Sequence, residues 1–223
     1  MSHISEPTVR RLSNYYRVLE EVAAEGKRMI SSHLLAEREG ITSAQVRKDL
    51  SSFGSFGRRG LGYHVEHLRD EIRALLGLDR RWRACVVGAG HIGTALLGYR
   101  GFSAQGFDIV AVFDADVARI GRALEGLVVR PVSQLSAKDA FEIGVIATPV
   151  HAAQEVADAL VAAGVQGILN FAPRKLRVPA SVTLRTVDMT MEFESLSYAL
   201  THARTSAPRR RRSAPRPRVS ARP

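Results

Sequence analysis

Two short stretches of the 223-residue chain combine residue types and spacing that suit phosphate and sugar chemistry. Residues 85–93 are an apolar run that leads into the pattern Gly-x-Gly-x-x-Gly, and residues 109–114 are a second apolar run that ends in Asp114. A strand, a glycine turn, a helix, a second strand and an acid, in this order, are typical of the first βαβ unit of a dinucleotide-binding domain. The elements that must position these residues are therefore predicted to form a Rossmann sheet.

The three glycines have separate predicted tasks. Gly88 makes the tight turn, Gly90 lets the backbone approach a pyrophosphate, and Gly93 lets the helix pack close to the strand. The amides and the dipole at the helix N-terminus then face the phosphates. Asp114 lies about twenty residues further on, where a carboxylate can accept hydrogen bonds from the adenosine ribose. The predicted cofactor contacts in this unit are Gly88, Ala89, Gly90, His91, Ile92, Gly93 and Asp114.

Asp114 also bears on which dinucleotide is bound. A carboxylate at this position repels the 2′-phosphate of NADP(H), and Ala115-Asp116 supplies no cation to hold that phosphate. The sequence therefore favours NAD(H), although Arg119 is a nearby cation. CoA-type nucleotides, which bind related Rossmann variants, are the remaining alternative.

The rest of this half alternates as a doubly wound sheet does. Thr148-Pro149 follows one predicted strand and Asn170-Phe171 ends another, so both lie at the carboxyl ends where open α/β sheets bind ligands. We therefore predict Thr148, Pro149, Asn170 and Phe171 as further cofactor contacts, with ordinary loop punctuation as the alternative. The predicted strands are residues 127–129, 143–147, 167–171 and 182–187, and the predicted helices are 149–163 and 191–200.

The N-terminal region has the outline of a helix-turn-helix. In the third predicted helix Val46 and Leu50 point inward, whereas Gln45, Arg47 and Lys48 are of types that read base edges or hold phosphates. The residues predicted to begin or end these helices are Pro7, Gly26, Ser31 or Ser32, Gly40, and the capping-box pair Thr42 and Gln45.

Residues 53–63 alternate apolar groups, glycines and two arginines, which predicts a β-hairpin wing with Arg58 and Arg59 at its tip. Arginines on a thin hairpin suit insertion into a narrow minor groove. The alternative is a solvated basic helix and a glycine-rich loop in a small helical domain. The predicted DNA contacts are Ser43, Gln45, Arg47, Lys48, Arg58, Arg59 and Gly60.

Several motifs extend along the chain from residue 4 to about residue 200: TVRRL, SAQVRKDLS, FG-x-FG-x-RG-x-GY, GAGHIG, IVAVFD, GILNFAP and VD-x7-LSY. Together they resemble the Rex family of bacterial redox-sensing transcriptional repressors. The resemblance implies a homodimer of winged-helix and Rossmann domains that compares NADH with NAD and releases its operator when NADH binds.

The resemblance also implies a switch and a dimer interface. It places the carboxylate of Asp188 near the nicotinamide, with Tyr99 and Arg17 as its changing partners, and Met189 stands where some relatives carry a larger aromatic group. The last helix is exchanged with the partner subunit, and the two-fold dimer presents two recognition helices to an inverted-repeat operator. Packing of this helix on its own sheet is the alternative.

Composition narrows the class of protein further. No apolar run reaches membrane-spanning length, and the start of the chain lacks the apolar segment of a signal peptide. Cys85 stands alone, so neither a disulfide framework nor a metal site is predicted, and we expect a cytoplasmic protein. Of the net charge of +10, eight arginines without any acid follow His202, which leaves +2 for residues 1–201.

The predicted fold class is α/β in two domains and a tail. Residues 1–78 form a winged helix-turn-helix domain, and residues 79–201 form a Rossmann domain, a doubly wound parallel sheet with a terminal, domain-swapped helix. Residues 202–223 form a disordered Arg/Pro-rich tail. Residues 65–83 are predicted to connect the domains through a helix with Leu68, Ile72 and Leu75 on one side and a junction formed by Arg80, Arg81 and Arg83.

An enzyme is not the favoured interpretation. A dehydrogenase needs a substrate domain and an acid/base group beside the nicotinamide. Here only one strand and one helix follow the fifth predicted strand, His91 lies inside the glycine turn, and His151 has no carboxylate close by in sequence. We therefore predict binding without turnover and no catalytic residues. A small NAD-dependent reductase with an accessory helical domain, or a winged-helix regulator that senses another nucleotide, are the alternatives.

Overall fold

A computed structural model describes residues 4–54, 57–58 and 61–203. Two compact units are present. The first contains the chain up to residue 84 together with residues 95–110, and the second contains residues 85–94 together with the chain from residue 111 onward.

The N-terminal part of the first unit is a winged helix-turn-helix, as predicted. Its elements are α1 (Glu6–Ala24), β1 (Met29–Ile30), α2 (Ser32–Glu39), α3 (Ser43–Ser51), β2 (Gly57–Arg58), β3 (Gly62–His64) and α4 (Val65–Leu75). The three short strands form one sheet in the order β1-β3-β2, and both pairings are antiparallel. Arg58 lies in β2, opposite Gly62, whereas Arg59 and Gly60 fall outside the described residues.

Local hydrogen bonds set the ends of the helices. The Ser31 hydroxyl accepts from the Leu34 N–H at 3.1 Å, and the Thr42 hydroxyl accepts from the Gln45 N–H at 3.2 Å. Gly40 ends α2 in the left-handed conformation, with φ 64°. These predicted caps are confirmed, but the reciprocal half of the capping box is wrong. The Gln45 side chain donates from its amide N–H to Asp49 and does not accept from the Thr42 backbone N–H, because the carboxylate is a strong acceptor within reach.

The helix predicted after the wing is confirmed as α4, and it belongs to the core of this unit; its role as a connector between domains remains a prediction. Val65, Leu68 and Ile72 are fully buried in one cluster with residues of α1, α2 and α3. The apolar side chains at three- and four-residue spacing form a stripe that another helix must cover. Leu75, the last residue of α4, is 43% exposed.

The predicted junction arginines make contacts within the first unit. The Arg80 guanidinium lies 3.7 Å above the centre of the Trp82 ring, and Arg81 forms an ion pair with Asp108. Their role in a junction between domains remains a prediction.

A seven-stranded sheet has the order β10-β9-β8-β4-β5-β7-β6. Its strands are β4 (Trp82–Val87), β5 (Phe107–Asp114), β6 (Ala123–Leu124), β7 (Leu127–Pro131), β8 (Ile143–Ile146), β9 (Gly167–Asn170) and β10 (Thr183–Thr186). The pairs β5 with β7, β8 with β9, and β9 with β10 are parallel, whereas β6 pairs antiparallel with β7. The chain leaves β4 toward β5 on one side and later returns to β8 on the other. β4 is therefore the strand at which a doubly wound sheet binds its ligand.

Helices of this half are α5 (His91–Gly98), α6 (Gly101–Ala104), α7 (Ala153–Ala162) and α8 (Met189–Ala203), with 3-10 turns at Val132–Gln134 and Ala137–Asp139. α7 begins four residues later than predicted, because Pro149 starts a turn that the Ala152 N–H closes on the Pro149 carbonyl at 3.1 Å. The hairpin strand β6 and the short helix α6 were not predicted, since two- and four-residue elements leave no periodicity to detect.

Candidate functional site

The loop after β4 has the geometry of a phosphate cradle. Gly88 has φ 107°, and a side chain on it would meet the Ala147 carbonyl oxygen at 2.4 Å. A side chain on Gly93 would lie 1.8 Å from the Gly88 carbonyl oxygen. These two glycines are therefore required for the turn and for the close approach of α5, as the motif predicts.

Gly90 differs from its neighbours because the space beside it is open. The nearest heavy atom to a side chain built there would be Arg119 Nη1, at 3.7 Å. A methyl group at this position would therefore fit the protein but occupy the cradle. A glycine is expected at such a position when a ligand approaches the backbone closely, because any side chain would occupy the ligand's space.

Asp114 supports the cradle from the end of the next strand. Its Oδ2 atom accepts a hydrogen bond from the Ala89 N–H at 2.7 Å, and its Oδ1 atom accepts one from the Asp116 N–H at 2.8 Å. Burial tends to raise the pKa of Asp114, but the amide hydrogen bonds and the Arg119 guanidinium outweigh burial and lower that pKa. The carboxylate is therefore ionised, and it orders the glycine turn in addition to any contact with a ribose.

The nearby cation at the site is already paired. Arg119 Nη1 lies 3.2 Å from Asp114 Oδ2, and Arg119 Nε lies 3.4 Å from Asp116 Oδ2. Two carboxylates against one guanidinium leave this corner of the site with excess negative charge. Such a site repels a 2′-phosphate and accepts ribose hydroxyls.

Thr148, directly after β8, supplies a further polar group. Its hydroxyl oxygen is buried and has no hydrogen-bond partner among the described residues. The Thr148 methyl would lie 3.1 Å from a side chain on Gly88, so this residue borders the turn. A buried hydroxyl without a partner is unfavourable until a ligand satisfies it, and the residues present therefore fit a bound dinucleotide. Pro149, next in the chain, is exposed.

Asn170, the last residue of β9, has a side chain that hydrogen-bonds within the protein. Its side chain is fully buried, and its Nδ2 donates to the carbonyls of Ala172 at 2.9 Å and Arg174 at 3.1 Å. Its Oδ1 accepts from the Ala172 N–H at 2.9 Å. Because both amide hydrogens are taken, Asn170 shapes the loop that carries the partly buried Phe171, and its contact with a cofactor remains a prediction.

The three predicted switch residues are distributed over the two units. Asp188 caps α8 in the second unit, where its Oδ1 accepts from the Thr190 N–H at 2.9 Å. In the first unit, Arg17 is exposed on α1, and Tyr99 is 61% exposed with its ring edge-on to Phe102. His91 is exposed at the first residue of α5, and Ile92 beside it is 49% exposed.

The predicted DNA-contacting surface centres on α3. Lys48 and Arg47 are exposed, and Arg47 Nη1 donates to the Ser32 hydroxyl at 3.2 Å. Ser43, the first residue of the helix, is partly buried, and Gln45 Nε2 donates to Asp49 Oδ1 at 2.8 Å. Sequence reasoning missed Asp49, because an acid gives no sign of being buried until the fold supplies its partners.

Helix α8 exposes large apolar side chains on more than one side. The side chains that are 59–70% exposed are Met189, Met191, Phe193, Leu196, Tyr198 and Leu200. An apolar patch of this extent marks a protein-protein contact in most soluble proteins.

The described residues hold no cluster of three or more His, Cys, Asp or Glu side chains suited to a metal ion. Of the helices in residues 4–54 and 61–203, none is both long enough and apolar enough to span a bilayer.

A winged helix-turn-helix in the same chain as a Rossmann phosphate cradle defines a nucleotide-responsive, DNA-binding regulator. Known proteins support this class. The family model described as "Putative DNA-binding protein N-terminus" matches residues 3–51, and the "CoA binding domain" model matches residues 79–174. The redox-sensing transcriptional repressor Rex of Carboxydothermus hydrogenoformans is 48% identical over 198 residues, which cover 87% of this chain and 95% of that protein.

Further relatives agree. Rex of Syntrophomonas wolfei is 46% identical over 200 residues, which cover 88% of this chain and 95% of that protein. A crystal structure of RSP in complex with beta-NAD+ and operator DNA matches with a TM-score of 0.87 at 35% identity, over 92% of this chain and 96% of that chain. A structure of RSP with beta-NADH matches with a TM-score of 0.83 at 34% identity, over 92% and 98% of the two chains. The chain belongs to the Rex family of redox-sensing transcriptional repressors.

Proposed function

We propose that this protein represses transcription by binding operator DNA and that NADH, bound in its Rossmann unit, releases the operator. The observation that carries the proposal is the phosphate cradle around Gly90, with the unpartnered Thr148 hydroxyl beside it, in a chain that also folds as a winged helix. The structure of the similar protein RSP in complex with both beta-NAD+ and operator DNA supports this combination of a nucleotide site and a DNA site.

NAD(H) is the favoured nucleotide. The loop Gly88–Gly93 would hold the pyrophosphate, Asp114 the ribose, and Thr148 a polar group of the nicotinamide half. The paired acids Asp114 and Asp116 disfavour the 2′-phosphate of NADP(H), and they equally disfavour the 3′-phosphoadenosine of CoA. Bound NAD(H) supplies a ring that is positively charged when oxidised and neutral when reduced, which is the difference that a sensor needs.

DNA binding is proposed for α3 and the wing. Ser43, Gln45, Arg47 and Lys48 lie on α3, which corresponds to the recognition helix of a winged helix-turn-helix. Arg58, Arg59 and Gly60 complete the predicted contacts on the hairpin. Strand β3 of the wing pairs with β1, and the two backbones are so close that a side chain on Gly62 would meet the Ile30 carbonyl oxygen at 2.4 Å.

A homodimer is part of the proposal. The exposed apolar surface of α8 requires a partner, and a second copy is the partner that places two recognition helices on an inverted repeat. We propose residues 1–78 as the DNA-binding domain, residues 79–201 as the nucleotide-binding and dimerisation domain, and residues 202–223 as an Arg/Pro-rich tail.

In the proposed switch, the charge of the nicotinamide ring is coupled to DNA affinity through Asp188, Tyr99 and Arg17. A carboxylate that exchanges a tyrosine hydroxyl for an arginine guanidinium would respond to a cationic ring. To move a dimer from 1:99 to 99:1, the two states must differ in effector affinity by about 10⁴-fold. A charge near Asp188 together with packing across the dimer supplies the physical basis for part of that ratio.

We propose further that the protein acts in the cytoplasm, where NADH and DNA meet, and that it does not turn NADH over. After β9 the described chain adds only β10 and α8, which provides no separate substrate-binding domain. The relatives over most of the chain are named repressors.

The test is an electrophoretic shift assay on a selected operator, with NADH, NAD, NADPH and CoA titrated separately. We expect NADH alone to release the DNA at low concentration. Release by CoA, or no response to the NADH/NAD ratio, would overturn the NAD(H) assignment. Steady oxidation of NADH in the presence of carbonyl substrates would instead favour the reductase.

A further inference from the structure

Asp49 is a buried acid in the helix that is proposed to face DNA. It is 3% exposed and accepts four hydrogen bonds from three side chains. Arg11 donates from Nε at 2.6 Å and from Nη2 at 2.8 Å, and the Tyr15 hydroxyl donates at 2.8 Å. The fourth donor is Gln45 Nε2, at 2.8 Å from Asp49 Oδ1. A buried carboxylate in a helix that is proposed to face a polyanion needs a physical reason.

The carboxylate is ionised in this setting. Burial tends to raise the pKa of Asp49, but the hydrogen bonds from Arg11, Tyr15 and Gln45 outweigh burial and lower it. An ionised carboxylate only accepts hydrogen bonds. It can therefore bind the amino group of Gln45 and never its carbonyl, which removes the freedom of the amide to flip.

The consequence for Gln45 is a defined outward pattern. With one N–H held by Asp49, the remaining N–H and the carbonyl Oε1 are left for other partners on this partly exposed side chain. A donor beside an acceptor is the pair that recognises N7 and the N6 amino group of adenine in the major groove. A free glutamine presents this pair only in some of its orientations.

We infer that Asp49 is a positioning residue that sets the base preference of Gln45, which selects an adenine edge in each half-site. This inference rests on the proposed DNA-binding function. Arg11 and Tyr15 serve it by holding the carboxylate, and they tie α1 to α3 through the same group.

A purely structural role makes a different prediction. If Asp49 only joined α1 to α3, its loss would weaken binding to every DNA sequence alike, through instability of the unit. If Asp49 positions Gln45, removing Asp49 lowers affinity only through one base pair in each half-site. The same change has no further effect on that preference when Gln45 is absent.

The experiment begins by selecting preferred sites from a random duplex pool with the parent protein. Affinity is then measured for the selected site, for every single-base-pair substitution of it and for unrelated DNA, with the parent, Gln45→Ala, Asp49→Asn and the double variant. We expect Gln45→Ala and Asp49→Asn each to lose about tenfold discrimination at the same A·T pair. The double variant should lose no more than Gln45→Ala alone, and affinity for unrelated DNA should not fall.

Two further variants keep the test decisive. Tyr15→Phe removes one bond to Asp49 but leaves both Arg11 bonds and the bond to Gln45, so it should keep the discrimination. If Asp49→Asn leaves Arg11 unpaired and unfolds the protein, the combination Arg11→Met with Asp49→Asn removes both charges and still frees Gln45.

The outcomes separate the inference from the proposed function. A parent that selects no sequence from the pool would refute DNA-reading altogether. A selective parent whose Asp49→Asn or Gln45→Ala variant keeps full discrimination would overturn the positioning role alone. Additive losses in the double variant would overturn it as well, because Asp49 would then act independently of Gln45.

Discussion

The Oδ2 atom of Asp114 accepts a hydrogen bond from the Ala89 N–H at 2.7 Å, so the acid at the end of β5 holds the glycine turn at the end of β4. Its other oxygen accepts from the Asp116 N–H at 2.8 Å. Asp114 therefore holds the glycine turn and also supplies negative charge to the site. Its variants should separate these two tasks.

Asp114→Ala removes both tasks, whereas Asp114→Asn keeps an acceptor for the Ala89 N–H but loses the charge. We expect Asp114→Ala to weaken NADH binding by about tenfold or more, since hydrogen bonds to a carboxylate are worth about 1.5–3 kcal/mol. Asp114→Asn should weaken it less while narrowing the preference for NADH over NADPH. Calorimetric titration with both cofactors measures this. If the ratio of NADH affinity to NADPH affinity is the same in Asp114→Asn and in the parent, the charge of Asp114 does not set the preference.

The neighbouring Arg119 offers the opposite change. It is the guanidinium that offsets Asp114 and Asp116. Arg119→Ala leaves two unopposed carboxylates, so the preference for NADH over NADPH should widen. A narrower preference in the same titration would mean that Arg119 is no counterion to these acids when cofactor binds.

Two glycines of the cradle should respond differently to one added methyl group. Gly93→Ala would place a carbon 1.8 Å from the Gly88 carbonyl oxygen, so it should lower the Tm and abolish NADH binding. Gly90→Ala meets nothing nearer than 3.7 Å, so its Tm without cofactor should match that of the parent while NADH affinity falls. Thermal melts with and without NADH test both. Parental NADH affinity in Gly90→Ala would show that the phosphates do not approach this residue.

Lys48 and the wing arginines should govern the salt dependence of DNA binding. Each lost phosphate contact lowers the slope of log affinity against log salt by about 0.9. We expect a decrease of that size for Lys48→Ala and about twice as much for Arg58→Ala with Arg59→Ala, with NADH binding intact. Lys138→Ala, an exposed lysine in the second unit, is the matched control. If the slope of log affinity against log salt is unchanged in the double variant of Arg58 and Arg59, the wing does not contact the DNA phosphates.

The buried Asp49 predicts a pH dependence of stability. Its pKa is lowered in the folded protein, so its contribution is fully present above the ordinary carboxyl pKa of about 3.9 and is lost as the pH falls through the lowered value. The difference in free energy of unfolding between the parent and Asp49→Asn should therefore shrink below about pH 4. Urea titrations of both proteins across the acid range measure it. A difference that stays constant with pH would mean that the charge of Asp49 does not contribute.

Asp188→Ala and Arg17→Ala should uncouple NADH binding from operator release. Both residues lie outside α3, so operator affinity without NADH is expected to persist. Because Asp188 is proposed to lie near the nicotinamide, operator release is compared at equal NADH saturation. NADH binding and NADH-driven release are measured on the same preparations. If either variant releases DNA at the parental NADH concentration, that residue is not part of the switch.

Sequence alone determined the features whose causes are local. Ser31, Gly40 and Thr42 act on atoms a few residues away, so the caps of α2 and α3 follow from composition and spacing. The glycine motif likewise predicted Gly88 and Gly93 correctly, because the turn and the helix that it begins are contiguous in the chain.

Tertiary structure decided the features whose partners are distant in sequence. Asp49 is held by Arg11 and Tyr15, and Asp114 by Ala89, and no periodicity links these residues. The apolar stripe of α4 was visible in the sequence, yet only folding showed that α1 covers it. A polar side chain has several possible partners until the backbone brings one within about 3 Å, and burial then makes that partner obligatory.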